Sequence, residues 1–313
     1  MPSTWEGTVP FREPAIAPPV TSITGFSARS RAILLMQNTG DNSLRPSRPS
    51  RFSHSPFEHV IRHSKIAMEA MILAAGLGTR LRPLTYETPK ALIEVGGTPM
   101  LERVARRLID AGADRLIVNV HAHRNKIRDF IREKDGFGVQ VEVSEEPDQR
   151  LETGGGLKNA TSFFRREGAF FMHNADILTD LSLRALQIVH EDADNALATL
   201  AVRPAEDDRY LLFDENDHLC GFSERETGEE VLRREPEGET RKLDFCGVQI
   251  IEPRIFDLMT ETGVFSIINT YVRLAEEDET INAFHADAAE WMDIGTPERL
   301  EAARERAERG DFR

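Results

Sequence analysis

From residue 68 onward, short apolar runs alternate with amphipathic stretches, and that alternation predicts an α/β domain. "AMILAAG", 70 to 76 with a start as early as 68, reads as a buried strand. Pro99 opens a helix in which Met100, Leu101, Val104, Leu108 and Ile109 recur at three- and four-residue spacing, with a stop near Gly112. "RLIVNVH" (115 to 121) is the next strand, "RNKIRDFI" the next helix, and "VQVEVSE" (139 to 145) alternates as a strand does. The pattern continues through the strand "AFFMHNAD" (169 to 176), the helix "LSLRALQIVHE" and the strand "NALATLAV" (195 to 202). After that, "RYLLFD", "LCGFSE" and "DFCGVQII" follow one another with turns between them. The expectation is a mixed, mostly parallel sheet flanked by helices, with an antiparallel section in the second half.

Residues 1 to 67 lack this periodicity. They hold eight of the 16 prolines, ten serines, and eight Lys/Arg against four Asp/Glu, a composition that predicts a disordered extension before a single folded domain at 68 to 313. Its arginine- and serine-rich character also suits a transit peptide, and an upstream start codon in place of Met68 is a further reading.

The whole chain of 313 residues carries a net charge of -14, which argues against nucleic-acid or anionic-membrane binding. Two cysteines, Cys220 and Cys246, have neither metal-binding spacing nor a disulfide framework around them. A cytoplasmic protein, monomeric or a small homo-oligomer, is expected.

Against that acidity, "MILAAGLGTRLRPLTYETPK" (71 to 90) gathers Gly76, Gly78, Arg80, Arg82 and Lys90 directly after the first strand. Glycines at a strand's carboxyl end let backbone N–H groups approach an anion, and the cations beside them suit phosphates. The loop is neither a dinucleotide fingerprint, since Leu81 stands where the third glycine belongs, nor a P-loop, since no lysine follows Gly78. Instead Gly76, Gly78, Thr79, Arg80, Leu81, Pro83, Thr85, Pro89 and Lys90 resemble the signature of the sugar-1-phosphate nucleotidyltransferases. "LETGGGLKNA", "HNADILTDLSL" and "WMDIGTPERL" extend the resemblance over roughly residues 69 to 305. They look most like the short bacterial subgroup that includes mannose-1-phosphate guanylyltransferase-like and N-acetylmuramate-1-phosphate uridylyltransferase proteins.

The resemblance implies a Rossmann-like fold and transfer of a nucleotidyl group from an NTP to a sugar 1-phosphate, with release of pyrophosphate. It implies nucleotide contacts for Ala75, Gly76, Gly78, Thr79, Arg80, Lys90 and Asn174. Glu152, Gly154 and Gly155 of "ETGGGL" would meet the base, the glycines by exposing backbone groups, although that stretch alone reads as a flexible turn. Asp176 and Asp293 would hold Mg²⁺, with Arg80 and Lys90 as the other catalytic groups. Neither aspartate is needed as a helix cap, because Thr179 or Asp180 and Thr296 stand nearer the helix starts. The sugar phosphate falls to Glu224, Gly247 and either Arg225 or Lys242, because the Glu-Lys-Pro element of many relatives reads Glu224-Arg225 without the proline. The competing reading is an inactive sugar-nucleotide-binding regulatory subunit, which the intact charged positions disfavour.

Overall fold

The computed structural model describes residues 68–206, 209–224, 227–310 and 312, so the predicted N-terminal extension and Arg225 lie outside the described residues. The parallel half of the chain follows the predicted rhythm. Strand β1 (Met68–Leu73) leads through the small hairpin β2 (Glu94–Val95) and β3 (Thr98–Pro99) to helix α1 (Met100–Asp110). Then come β4 (Ala113–Val120), α2 (Arg124–Glu133), β5 (Gln140–Glu145), α3 (Glu152–Asn159) and β6 (Phe170–Asn174). Strands β6, β1, β4 and β5 lie side by side and all parallel.

Both faces of β6, β1 and β4 are covered, which explains their largely apolar runs, whereas β5 at the sheet edge alternates and is mostly only partly buried. Ala70 and Ile72 of β1 join the core beneath α1 and α2, whereas Met71 between them joins the core on the opposite face.

The second half departs from parallel pairing. After β7 (Ile177–Thr179), α4 (Leu183–Asp192) and β8 (Ala196–Pro204), strands β9 (Leu211–Phe213), β10 (Leu219–Ser223) and β11 (Glu230–Leu232) form an antiparallel edge. The long strand β12 (Arg241–Ile251) pairs antiparallel with β8 along one side. Its other side pairs first with β9 and then with β6. It therefore stitches the antiparallel section to the parallel sheet. The chain finishes with α5 (Ile255–Leu258), α6 (Ile267–Glu276), β13 (Thr280–His285), β14 (Trp291–Asp293) and α7 (Pro297–Arg309).

Two local expectations need correction. "ETGGGL" is not a flexible turn: it forms the first part of α3, packed so closely that Gly154 and Gly155 have no room for a Cβ. The cap of α4 is Ser182, whose hydroxyl accepts the N–H of Ala185 at 3.2 Å. Thr179 and Asp180 bond other backbone groups, the N–H of Leu181 and of Glu290. Thr296 does cap α7, with Pro297 at its first position.

Candidate active site

The loops following β1, β5 and β6 rise from the carboxyl edge of the parallel sheet, where open α/β sheets take ligands. They enclose a cleft of about 290 Å³ whose walls include Ala75, Gly76, Lys90, Glu152, Asn174 and Asp176. Gly78 lies beneath that wall in the left-handed region at φ 61, where a Cβ would meet the Thr85 side chain at 2.8 Å and that of Lys90 at 3.2 Å. Thr85 closes the same turn by donating its hydroxyl to the Gly78 carbonyl at 2.8 Å. The glycine thus allows the loop to fold tightly against Lys90. Thr79 and Arg80 begin the short 3-10 turn that follows and are not buried.

Asp176 and Asp293, distant in sequence, are brought together by the two-stranded ribbon of β7 and β14. Asp293 stands opposite Ile177, and the Ile294 N–H donates to the Asp176 carbonyl at 3.0 Å. Each carboxylate carries a cation: Lys90 pairs with Asp176 and Arg299 with Asp293. The Gly295 N–H adds a donor to Asp293 at 2.7 Å, and the Arg80 guanidinium lies over the same glycine, since a Cβ there would come within 2.7 Å of it. Among the described residues no group of three His, Cys, Asp or Glu side chains forms a cage. Two carboxylates near the cleft of the glycine loop nevertheless fit Mg²⁺, which usually takes one or two protein carboxylates and completes its shell with substrate phosphates and water.

Just below Asp176 lies His173, fully buried, with Nδ1 against the Asn174 carbonyl at 2.8 Å and Nε2 without a hydrogen-bond partner among the described residues. Burial, reinforced by the nearby Arg107 charge, pushes its pKa down to about 4, so the ring is neutral at pH 7.

A second cleft of about 540 Å³ opens on the antiparallel side, walled by Arg203, Tyr210, Phe222, Trp291, Asp293 and Arg299. Trp291 is anchored by its indole N–H to the Cys246 carbonyl at 2.8 Å, and the Arg203 guanidinium lies 4.2 Å over its ring. The two clefts share Thr153, Asn174, Arg209 and Ser266. Among the described residues Arg209 is the one cation at that seam. The other cleft cations have acidic partners: Asp176 for Lys90, Asp293 for Arg299, Glu206 for Arg203 and Glu152 for Arg150. Among the described residues Arg209 has none.

Several expected contacts are placed differently. The Gly154 and Gly155 N–H groups both donate to the Phe265 carbonyl, at 3.0 and 3.2 Å, so they are not turned to the cleft. Their lack of a Cβ serves close packing against Phe265 and Gly263 instead. Glu152 and Thr153 do line the cleft, with Glu152 itself in the left-handed region at φ 61. Gly247, at φ 73, sits behind the site, where a Cβ would fall 2.6 Å from the Asn174 amide; it makes room for Asn174 and does not line either cleft. Glu224 closes the turn after β10 through Thr227 and Glu229, outside the lining of both clefts. Lys242 is committed to Glu230 at 2.7 Å and to Tyr210, which raise its pKa.

Two adjoining clefts that each hold cations, with Asp176 in the wall of one and Asp293 in the wall of the other, suit a transferase that joins two phosphorylated molecules. The chain belongs to the nucleotidyl transferase family, whose pattern matches residues 69–310. It is 33% identical over 245 residues to an N-acetylmuramate alpha-1-phosphate uridylyltransferase of Caulobacter vibrioides, covering 76% of this chain and 96% of that one. A protein of the same description from Neisseria meningitidis is 31% identical, over 75% of this chain and 96% of its own. A mannose-1-phosphate guanyltransferase of Kluyveromyces lactis is 27% identical over 74% of this chain and 62% of its own. Among solved structures, a glucose-1-phosphate thymidylyltransferase from Bacillus anthracis, described as putative, shares the fold with a TM-score of 0.64 at 18% identity, over 77% of this chain and 95% of its own. HddC from Yersinia pseudotuberculosis does so with a TM-score of 0.59 at 23% identity, over 77% and 99%.

Proposed function

We propose that this chain is a sugar-1-phosphate nucleotidyltransferase that takes UTP and a sugar 1-phosphate of the N-acetylmuramate type, and that the working unit is residues 68–313. The observation that carries the reading is the seam: the cleft of the glycine loop, which Asp176 lines, and the cleft of the antiparallel section, which Asp293 lines, meet at Asn174 and Arg209. An NTP in the first cleft directs its α-phosphate at a sugar phosphate in the second.

The choice of substrates is supported by the two N-acetylmuramate relatives, each spanned almost end to end. It is supported also by the guanidiniums of the second cleft, Arg203, Arg209 and Arg299, of which Arg209 has no acidic partner among the described residues. A sugar bearing a carboxylate as well as a phosphate uses more of them.

In the reaction a sugar phosphate oxygen forms a bond to the α-phosphorus while the bond from that phosphorus to the bridging oxygen breaks, and pyrophosphate departs. The nucleophile is largely ionised at neutral pH, so no general base is required and catalysis rests on position and charge. Gly78 shapes the loop, Thr79 and Arg80 meet the outer phosphates, Lys90 holds the α-phosphate, and Arg209 receives the sugar phosphate. Asp176 and Asp293 would hold Mg²⁺, which when bound offsets the repulsion between two polyanions.

Asn174 orients substrate where the clefts join, and Glu152 and Thr153 meet the base. An active enzyme is preferred to a binding subunit, a reading supported by Lys90 and Asp176 in the wall of the first cleft and Asp293 in that of the second. No helix among the described residues is long and apolar enough to cross a membrane. We place the enzyme in the cytoplasm, as a monomer or small homo-oligomer supplying an NDP-sugar for cell-wall or polysaccharide assembly.

Competition among UTP, GTP, CTP and dTTP, each with N-acetylmuramate, mannose and glucose 1-phosphates, tests the choice. UTP with N-acetylmuramate 1-phosphate should give the highest kcat/KM. A higher value for a neutral hexose phosphate would overturn the assignment of the sugar.

A further inference from the structure

We propose that Asn119 and Glu146 are positioning residues, a buried hydrogen-bonded strut that sets the separation of the two loops walling the nucleotide side of the cleft. Asn119 is a polar residue within the apolar run of β4 and is 1% exposed. Its Oδ1 accepts the N–H of Ala74, the first residue of the glycine loop, at 2.8 Å. Its Nδ2 donates to Glu146 Oε1 at 2.7 Å. Glu146, also 1% exposed, uses its other oxygen to accept the N–H of Leu151 at 2.8 Å. Leu151 immediately precedes Glu152 and Thr153, which line the same cleft from the facing side. The chain of bonds therefore runs from one wall, through two side chains, to the other.

The far end is fixed as well. Glu146 donates its own N–H to the Val120 carbonyl at 2.8 Å, and its carbonyl contacts His121 Nδ1 at 2.7 Å. Helix α3 rests on the middle of the strut through Gly156, where a Cβ would fall 2.7 Å from Asn119 Nδ2 and 2.8 Å from Glu146 Oε1.

The chemistry explains why an acid stands in so buried a place. No cation pairs with Glu146 among the described residues, so the carboxylate is held by neutral donors alone, a costly arrangement that would be dispensable in a packing role. Two separate donors must be accepted by one side chain, from Asn119 on one side and Leu151 on the other. A carboxylate accepts at both ends; an amide accepts at only one.

The inference rests on the first cleft being the nucleotide site, and the test separates the two. Glu146→Gln turns an NH₂ toward one of the two donors and leaves an N–H without an acceptor. Asn119→Asp sets two carboxylates against each other. Each single change should raise KM and the calorimetric Kd for the nucleotide roughly tenfold, with kcat and the sugar-phosphate KM changing by less than about threefold. The double variant Asn119→Asp with Glu146→Gln restores all three bonds by exchanging the acid and the amide. The carboxylate introduced at position 119 accepts from the Ala74 N–H and from the amide introduced at position 146, whose carbonyl oxygen accepts from the Leu151 N–H. Nucleotide affinity in the double variant should return to within about threefold of the parent.

Binding is measured with UTP and GTP by titration calorimetry, which needs no turnover. A parent chain that binds neither nucleotide sinks the reading of the cleft. Single variants that bind like the parent, or a folded double variant no better than the singles, sink the strut. If a single variant does not fold, the double variant decides alone: it must fold and bind the nucleotide like the parent.

Discussion

The nucleotide-side cleft is walled largely by loops that follow successive parallel strands, whereas the sugar-side cleft draws Arg203 from β8, Phe222 from β10, Trp291 and Asp293 from β14, and Arg299 from α7. The first is local. One stretch, 71 to 90, supplies the strand, the glycines and Lys90, so backbone shape and charge arrive together. The second is assembled across the antiparallel section and depends on β12 joining β9 and β8 to the parallel sheet. The cations differ in kind: the first cleft adds a lysine, Lys90, to Arg150 and Arg209, whereas the cations lining the second are guanidiniums, Arg203, Arg209 and Arg299. The difference teaches where selectivity resides. On the proposed reading, a triphosphate, alike in every NTP, suits a short fixed loop, while a sugar that varies suits side chains that can be exchanged one at a time.

Substitution can break that contrast most severely at the ribbon the clefts share. Asp176→Asn and Asp293→Asn should each lower kcat by roughly 1000-fold at saturating Mg²⁺ and both substrates, with melting temperature nearly unchanged. Turnover persisting in either variant would remove the metal assignment.

The next effect isolates the first cleft. Lys90→Met keeps the aliphatic stem and removes the charge, and kcat should fall roughly 100-fold, about 3 kcal/mol of transition-state stabilisation. Arg80→Met should act mainly on NTP KM, because the outer phosphates are gripped in the ground and transition states alike. Steady-state kinetics on both variants would contradict the loop's role if Lys90→Met were silent.

Arg209 sharpens the comparison from the other side. Arg209→Met should raise the KM for the sugar phosphate by roughly tenfold and leave NTP KM within about threefold, with Arg209→Lys intermediate. An equal rise in both constants would move this residue to the triphosphate.

The smallest effect concerns the floor beneath Asp176. His173 has a pKa of about 4 when folded, against about 6.5 in an unfolded chain, so only the unfolded chain takes up its proton in that interval. Its contribution is fully present above pH 6.5 and is lost as the pH falls toward 4. Denaturant titrations at pH 7.5 and pH 5 should show that His173→Gln loses less stability on acidification than the parent, by on the order of 1 kcal/mol. Equal losses would mean that this imidazole does not titrate as described.

Legibility in the sequence follows the same divide. The parallel strands and their helices are readable because alternation and helical spacing are local. Ala75, Gly76, Lys90, Glu152, Asn174 and Asp176 do line the first cleft, and Asp293 the second. The glycines of "ETGGGL" mislead because low helix propensity suggests a turn. Here close packing on Phe265 outweighs propensity, and a helix forms where a loop with ligand-facing amides is expected.

Asn119 and Glu146 give only a faint signal, one polar residue in an apolar run and one acid among several in "SEEPDQRLE". Arg209 belongs to no fixed spacing: the role proposed for it rests on its having no acidic partner, among the described residues, where two clefts meet, a property of three dimensions. Glu224 and Lys242 are attractive by analogy with an element that this chain lacks, and both are occupied elsewhere.

Nucleotidyl transfer between the two clefts is tested most directly by following a labelled α-phosphate. With UTP labelled at that phosphorus, Mg²⁺ and N-acetylmuramate 1-phosphate, label should appear in a UDP-sugar, with one pyrophosphate released for each product molecule and none when either substrate is omitted. Tight nucleotide binding without transfer of label, tried with each NTP and each sugar 1-phosphate of the panel, would contradict it.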